Sequence, residues 1–238
     1  MKLDILVIAA HPDDAELCCS GTILTHIAAG RKVGIVDLTQ GELGTRGNAA
    51  IRLQEAESSA KLLGIHAREN LGFRDGFFTN DEAHQLKIAT IIRKYQPEIV
   101  LANAVHDRHP DHGKASSLIS VACFLSGLRR IETMFDGVSQ PAWRPKVVYH
   151  YIQDYYIKPD FIVDISPMME KKLAVIKVFK SQFYDPESLE PATVLSRPDF
   201  MDRIIARARE FGKVGDVEYG EGFNVERMIG VRDLFDLI

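Results

Sequence analysis

Leu-Asp-Ile-Leu-Val-Ile-Ala-Ala-His-Pro-Asp-Asp-Ala-Glu, residues 3–16, sets a short apolar run directly against a proline-containing turn crowded with acids. The run from Leu3 to Ala10 carries one early acid and reads as a strand buried on both faces of a parallel sheet. His11-Pro12-Asp13-Asp14 ends it. From Ala15 to Ala29 the apolar residues Leu17, Ile23, Leu24, Ile27 and Ala28 recur at helical spacing, and Gly30 supplies the stop.

The same alternation continues along the chain. Lys32–Thr39 reads as a second strand, followed by the glycine-rich loop QGELGTRGN and a helix from Ala49 to Leu63 that ends at Gly64. Asn80 is placed to cap a helix through Tyr95, with Pro97 beyond it, and Glu98–Ala104 forms another buried strand. The loop VHDRHPDHG precedes a helix expected over Lys114–Arg129. PKVVYHYI and DFIVDIS are two further strands, and Pro167 suits the first turn of a helix running to Phe183. DPESLEPATVLSRP is a polar loop read as a lid or an oligomer contact. An amphipathic helix in DFMDRIIARAREFG and a short returning strand in VEYGEGFNVER follow. Strands alternating with helices define an α/β, Rossmann-like fold, a mostly parallel sheet covered by helices on both faces, in a single domain over residues 1–238.

Composition narrows the partners. A formal charge of -4 gives no broad basic field, which argues against nucleic acid and anionic membranes and for a small-molecule ligand. The start has no secretory pattern, and no run of about 18 apolar residues predicts a membrane span. Cys18, Cys19 and Cys123 make an odd number without framework spacing, which points to a reducing, cytoplasmic compartment.

In open parallel sheets, ligands bind beyond the carboxyl ends of the strands where the strand order reverses. A strand order of 3-2-1-4 brings the loop after Ala10 beside the loop after Ala104, and these are the two densest clusters of His and Asp in the chain. Either cluster alone reads as a turn, since proline fixes φ and aspartate bonds its own backbone. Two clusters at converging strand ends read as a metal site. A hydrolytic zinc centre uses three protein ligands and leaves a position for water. His11 and Asp14 can bend round to one ion, and His109 or His112 completes the set; spacing leaves that choice open. Asp13, beside a ligand, is placed to take a proton from water, and the spare imidazole to stabilise an oxyanion or protonate a leaving group. Glu16 reads as an acid favouring the helix start. The glycine loop matches no phosphate-cradling fingerprint, but Glu42, Arg46 and Arg52 are within reach of a polar or anionic substrate. Two histidines and a carboxylate also match the facial triad of non-haem iron enzymes, and a non-catalytic sugar-binding module is a further alternative.

AHPDDAE after the first strand, GELGTRGN after the second, R-L-Q-E-A in the next helix, LGFRDG and then HPDH together resemble the LmbE/PIG-L family of zinc-dependent deacetylases acting on N-acetylglucosaminyl compounds. GTRGN, SQFYDP and VEYGEGF are most similar to the bacillithiol-pathway members, which deacetylate N-acetylglucosaminyl-malate; another N-acetylglucosamine conjugate, or diacetylchitobiose, is the alternative substrate. The resemblance implies Zn2+ held by His11, Asp14 and His112, with Asp13 as general base and His109 stabilising the oxyanion and protonating the departing amine. It further implies Asp111 orienting or tuning His109, and Arg52 and Asp75 contacting substrate. A malyl carboxylate would suit Arg52 or Arg46. A homo-oligomer, trimer or hexamer, is also implied.

Overall fold

The computed structural model describes residues 1–236. In chain order the elements are β1 (Ile5–Ala9), α1 (Asp14–Ala28), β2 (Val33–Thr39), α2 (Ala49–Leu63), β3 (Ala67–Phe73), α3 (Glu82–Tyr95), β4 (Ile99–Ala102) and α4 (Pro110–Ser126). A small hairpin of β5 (Met134–Phe135) and β6 (Val138–Ser139) follows, then β7 (Val147–Tyr151), β8 (Phe161–Asp164), α5 (Met169–Ile176), α6 (Phe200–Val214) and β9 (Gly220–Val225). Seven strands form one sheet in the order β3-β2-β1-β4-β7-β9-β8. β1 pairs in parallel with both β2 and β4, so the predicted crevice between the ends of β1 and β4 is present. β9 enters antiparallel between β7 and β8, which makes the sheet mixed at that edge.

Successive side chains of a strand point to opposite faces, and β1 shows the consequence. Leu6 and Ile8 enter a core with Val36, Leu38 and residues of α3 and α4, including Ile88, Ile92, Leu118 and Ile119. Ile5, Val7 and Ala9 enter the opposite core with Ile23 and Leu24 of α1 and Val175 of α5. Helices therefore cover both faces, which is why β1 is apolar along its whole length and β2 departs from that only at the buried Asp37 and Thr39.

Several elements differ from the reading of the sequence. β3 is not among the predicted strands: ARENLGF lies at the sheet edge, is mostly half-buried, and its polar residues give no buried-strand signal. α3 is capped by Asp81, whose side chain accepts from the His84 amide at 3.0 Å, while Asn80 bonds Ser117 and Gln85. α4 starts at Pro110 rather than Lys114. His109 is its N-cap and Pro110 its first residue, so HPDH is the first turn of a helix and not a loop. The helix after Pro167 is shorter than expected. A 3-10 turn at Ser166–Met168 leads into α5, and beyond Ile176 the chain is irregular up to α6. The Glu55 carboxylate takes the Ser181 amide and hydroxyl there, both at 2.7 Å, and draws the chain onto α2.

Candidate metal centre and active site

The turn after β1 and the first turn of α4 meet at the carboxyl edge of the sheet. Asn103, just past β4, ties them: its carbonyl oxygen accepts from the Ala10 amide at 2.9 Å and its amide donates to Asp14 Oδ2 at 3.0 Å. Gln153, just past β7, donates to Asp14 Oδ1 at 3.1 Å and accepts from the Ala104 amide at 3.1 Å. Asp14 is thus held on both oxygens before any ligand is considered. Asp13 is held in the left-handed region at φ 113°, strained backbone for a residue with a side chain.

The nitrogens of the two candidate histidine ligands divide their work. His11 Nε2 lies 3.0 Å from Asp75 Oδ1 and 3.4 Å from Asp111 Oδ2, whereas its Nδ1 lies 3.5 Å from Asp14 Oδ2. His112 Nδ1 bonds Asp107 Oδ2 at 2.6 Å, and its Nε2 lies 3.1 Å from Asp14 Oδ1. With the outer nitrogen of each ring donating to a carboxylate, the inner nitrogen presents a lone pair to the oxygens of Asp14. Three acceptors facing one another call for a cation. His11 Nδ1 faces Oδ2 of Asp14 and His112 Nε2 faces its Oδ1, so the carboxylate lies between the two rings. Two overlapping groups have donor atoms within 4.8 Å of one another, close enough to hold a divalent ion: His11, His109 and His112, and His11, Asp75 and Asp111.

The acid field acts on the same groups. Burial opposes charge on both histidines, but the carboxylates around them outweigh it: His11 is raised well above its ordinary value and His112 to about 9. Protons held this way are what a metal displaces. For Asp13, burial dominates and pushes the carboxyl up to about 7, with the Arg52 guanidinium opposing and the neighbouring Asp14 adding. His109 is lowered by burial and by His11 and His112, which favours its neutral ring. Its Nδ1 accepts from the Asp111 amide at 3.3 Å, leaving the proton on Nε2.

The sequence-derived candidates are brought together with changed surroundings. His11, Asp13, Asp14, Arg52, Asp75, His109 and His112 all line one cavity of about 500 Å³. Arg52 faces Asp13, Nη2 to Oδ2 at 2.9 Å, and also bonds the Pro12 carbonyl, so it is committed to the acid rather than free for a substrate carboxylate. Asp75 has both oxygens engaged, by His11 Nε2 and by the Leu43 amide at 3.0 Å, which turns an expected substrate contact into an orienting group for His11. Asp111 is fully buried, and its carboxylate serves His11, the Gly76 amide at 2.8 Å and Lys114 at 2.6 Å; only its backbone serves His109. Arg46 turns away from the cavity and donates to Ser188 at 2.7 Å, bracing the loop after α5. Glu16 does not merely favour a helix start: its buried side chain bonds Ser59 at 2.6 Å and pairs with Arg68, which also holds Asp37. Asn103, Asp107 and Gln153 are site residues that the sequence reading does not single out. Their signals are a carboxylate five residues before a ligand histidine and buried amides at the ends of two apolar strands.

A sheet crevice carrying a divalent-metal donor set, an adjacent buried acid and a neutral histidine defines a metal-dependent hydrolase. The family model for PIG-L, described as GlcNAc-PI de-N-acetylase, matches residues 6–123. A diacetylchitobiose deacetylase of Thermococcus kodakarensis is 32% identical over 230 residues, covering 92% of this chain and 81% of that protein. A probable N-acetyl-alpha-D-glucosaminyl L-malate deacetylase 2 of Bacillus anthracis is 28% identical over 131 residues, 50% of this chain and 58% of that protein. The crystal structure of the conserved protein TT1542 from Thermus thermophilus superposes with a TM-score of 0.85 at 33% identity, covering 97% of this chain and 98% of that one. The chain belongs to the PIG-L/LmbE family of deacetylases.

Proposed function

We propose that the protein removes the acetyl group from an N-acetylglucosamine conjugate, releasing acetate and a free amine, with zinc as its ion. The observation that carries this reading is the cluster of His11, His109 and His112, whose donors lie within 4.8 Å of one another, with Asp14 between His11 and His112 and Asp13 lining the same cavity. A divalent ion bound there supplies Lewis acidity toward the amide carbonyl and makes water a better nucleophile. Asp13 takes a proton from the attacking water at its carboxylate, and a carboxyl raised to about 7 is matched to giving that proton back near neutrality. Arg52 fixes the carboxylate in place. His109 donates Nε2–H to the oxyanion of the tetrahedral intermediate. On collapse, Asp13 returns its proton to the departing nitrogen.

Similarity over most of both chains makes diacetylchitobiose the first substrate to test, ahead of the malate conjugate suggested by sequence resemblance. The malate conjugate keeps a place because Arg108, Arg203 and Arg207 line the cavity. The deciding experiment is amine release by the zinc-loaded protein from a panel of N-acetylglucosaminyl conjugates. Stoichiometric acetate and amine are expected; metal binding with no turnover of any conjugate would sink the reading. We also read the chain as a cytoplasmic homo-oligomer, a trimer or hexamer. Free Cys18, Cys19 and Cys123 support a reducing compartment, and the exposed Met228, Leu234 and Phe235 support subunit contact. Among the described residues no helix is long and apolar enough to cross a membrane.

A further inference from the structure

Glu221, near the start of β9, and Lys172, in α5, take no part in the reaction described above. Both are buried, they pair at 2.6 Å, and both are directed into the backbone of α1. In an unbroken helix the Gly21 amide bonds the Leu17 carbonyl and the Thr22 amide the Cys18 carbonyl. Here Glu221 Oε1 accepts from the Gly21 amide at 3.0 Å, and Oε2 accepts from the Thr22 amide at 2.7 Å and the Thr22 hydroxyl at 2.6 Å. Lys172 Nζ donates to the Leu17 carbonyl at 2.8 Å. The ion pair stands within the hydrogen-bond ladder of the helix, and the break shows at Cys19, whose φ of -139° and ψ of 16° are not helical.

α1 is thereby divided. Its first turn supplies Asp14, Leu17 and Cys18 to the cavity, whereas Ile23 and Leu24 beyond the break pack into the core. The Leu17 amide bonds the Asp13 carbonyl at 2.9 Å, so the peptide held by Lys172 is one step from the base. The ties on this turn share an origin. β7 and β9 are antiparallel, and the Ile152 amide bonds the Gly222 carbonyl at 3.2 Å. Gln153, after Ile152, holds Asp14 Oδ1, and Glu221, before Gly222, holds the amides of Gly21 and Thr22.

We propose that Glu221 and Lys172 are positioning residues that set where Asp13 and Asp14 stand relative to His109 and His112. This role presupposes the N-deacetylase reading above and adds to it the parts of α5 and β9 that fix the reactive turn. Charge-assisted hydrogen bonds in a dry interior are stronger than the amide–carbonyl bonds they stand in for, so the bend at Cys19 is held in one geometry.

The double variant Glu221→Gln/Lys172→Met keeps the shape of both side chains and removes both charges. Its denaturant unfolding is expected to stay near that of the wild type, since a buried ion pair exchanged for uncharged groups of similar volume is often neutral. Its zinc affinity, measured by competition with a chelating dye, is expected to fall about tenfold, and kcat on the zinc-saturated protein about 10–100-fold with little change in KM. A merely structural pair would lower the unfolding midpoint and leave zinc affinity at the wild-type value, and that result overturns the proposal. A second measurement needs no variant: hydrogen exchange at the Gly21 and Thr22 amides of the wild type, with and without zinc. Coupling is reciprocal, so zinc is expected to slow both amides, and exchange indifferent to zinc counts against the role. If no conjugate is turned over, the deacetylase reading fails, while zinc affinity and amide exchange still decide the positioning role by the same outcomes.

Discussion

The floor and the α6 wall of the cavity are built on opposite terms. On the floor, polar groups are held by partners: Asp14 by the distant Asn103 and Gln153, His11 by the distant Asp75 and Asp111, and His112 by Asp107, five residues before it. On the wall, Arg207 keeps most of its donors for something else, and its neighbours lean on exposed Asp154 and Asp199. The difference separates chemistry from choice of substrate. A reaction centre must be rigid to fit a metal and a transition state, and it sits at the ends of packed strands. Selection of the attached group requires only charge and room, and a helix face beside an irregular loop provides both.

Substitutions on the floor and around it should therefore differ in kind and size. His112→Ala removes one of three donors and is expected to abolish stoichiometric metal binding and turnover together; metal analysis after dialysis showing full occupancy would overturn the donor set. Asp13→Asn should keep its metal and lose about 10²–10⁴-fold in kcat, measured under saturating zinc, and a wild-type rate would remove Asp13 from the reaction. Asp111→Asn exchanges the buried carboxylate beside His11 for an amide, and metal affinity is expected to fall about 10–100-fold by competition against a chelating dye. If Asp111 instead served His109, affinity would hold and kcat alone would drop. Smallest is Arg46→Ala, which releases the loop after α5 at a cost of about 1 kcal/mol in denaturant unfolding, with metal content untouched.

Legibility follows the same division. β1, β2 and β4 are readable because strands covered on both faces are mostly apolar, and α2 because Gly64, at φ 78°, ends it where a side chain would be strained. β3 is not, since an edge strand carrying Arg68, Glu69 and Asn70 has the composition of a loop. The start of α4 is placed too late by periodicity because the polar HPDH turn hides a good helix beginning, proline in the first position with histidine as cap. In the site, residue types and their spacing point to a metal and to Asp13. The roles of Asp75 and Asp111 escape the sequence because nothing local says which ring a buried carboxylate will face.

By itself the sequence determined the α/β class, the two strand ends that carry His and Asp, and the acid available as a base. These follow from local periodicity and from chemistry contained in a few consecutive residues. Only the tertiary structure decided which nitrogen of each histidine turns inward, that Arg52 is spent on Asp13, and that Arg207 is left without a counter-charge. Those outcomes depend on contacts such as Asn103 with Ala10 and Arg207 with Asp154, whose partners are 93 and 53 residues apart, and they exist only once the sheet has brought its strand ends side by side.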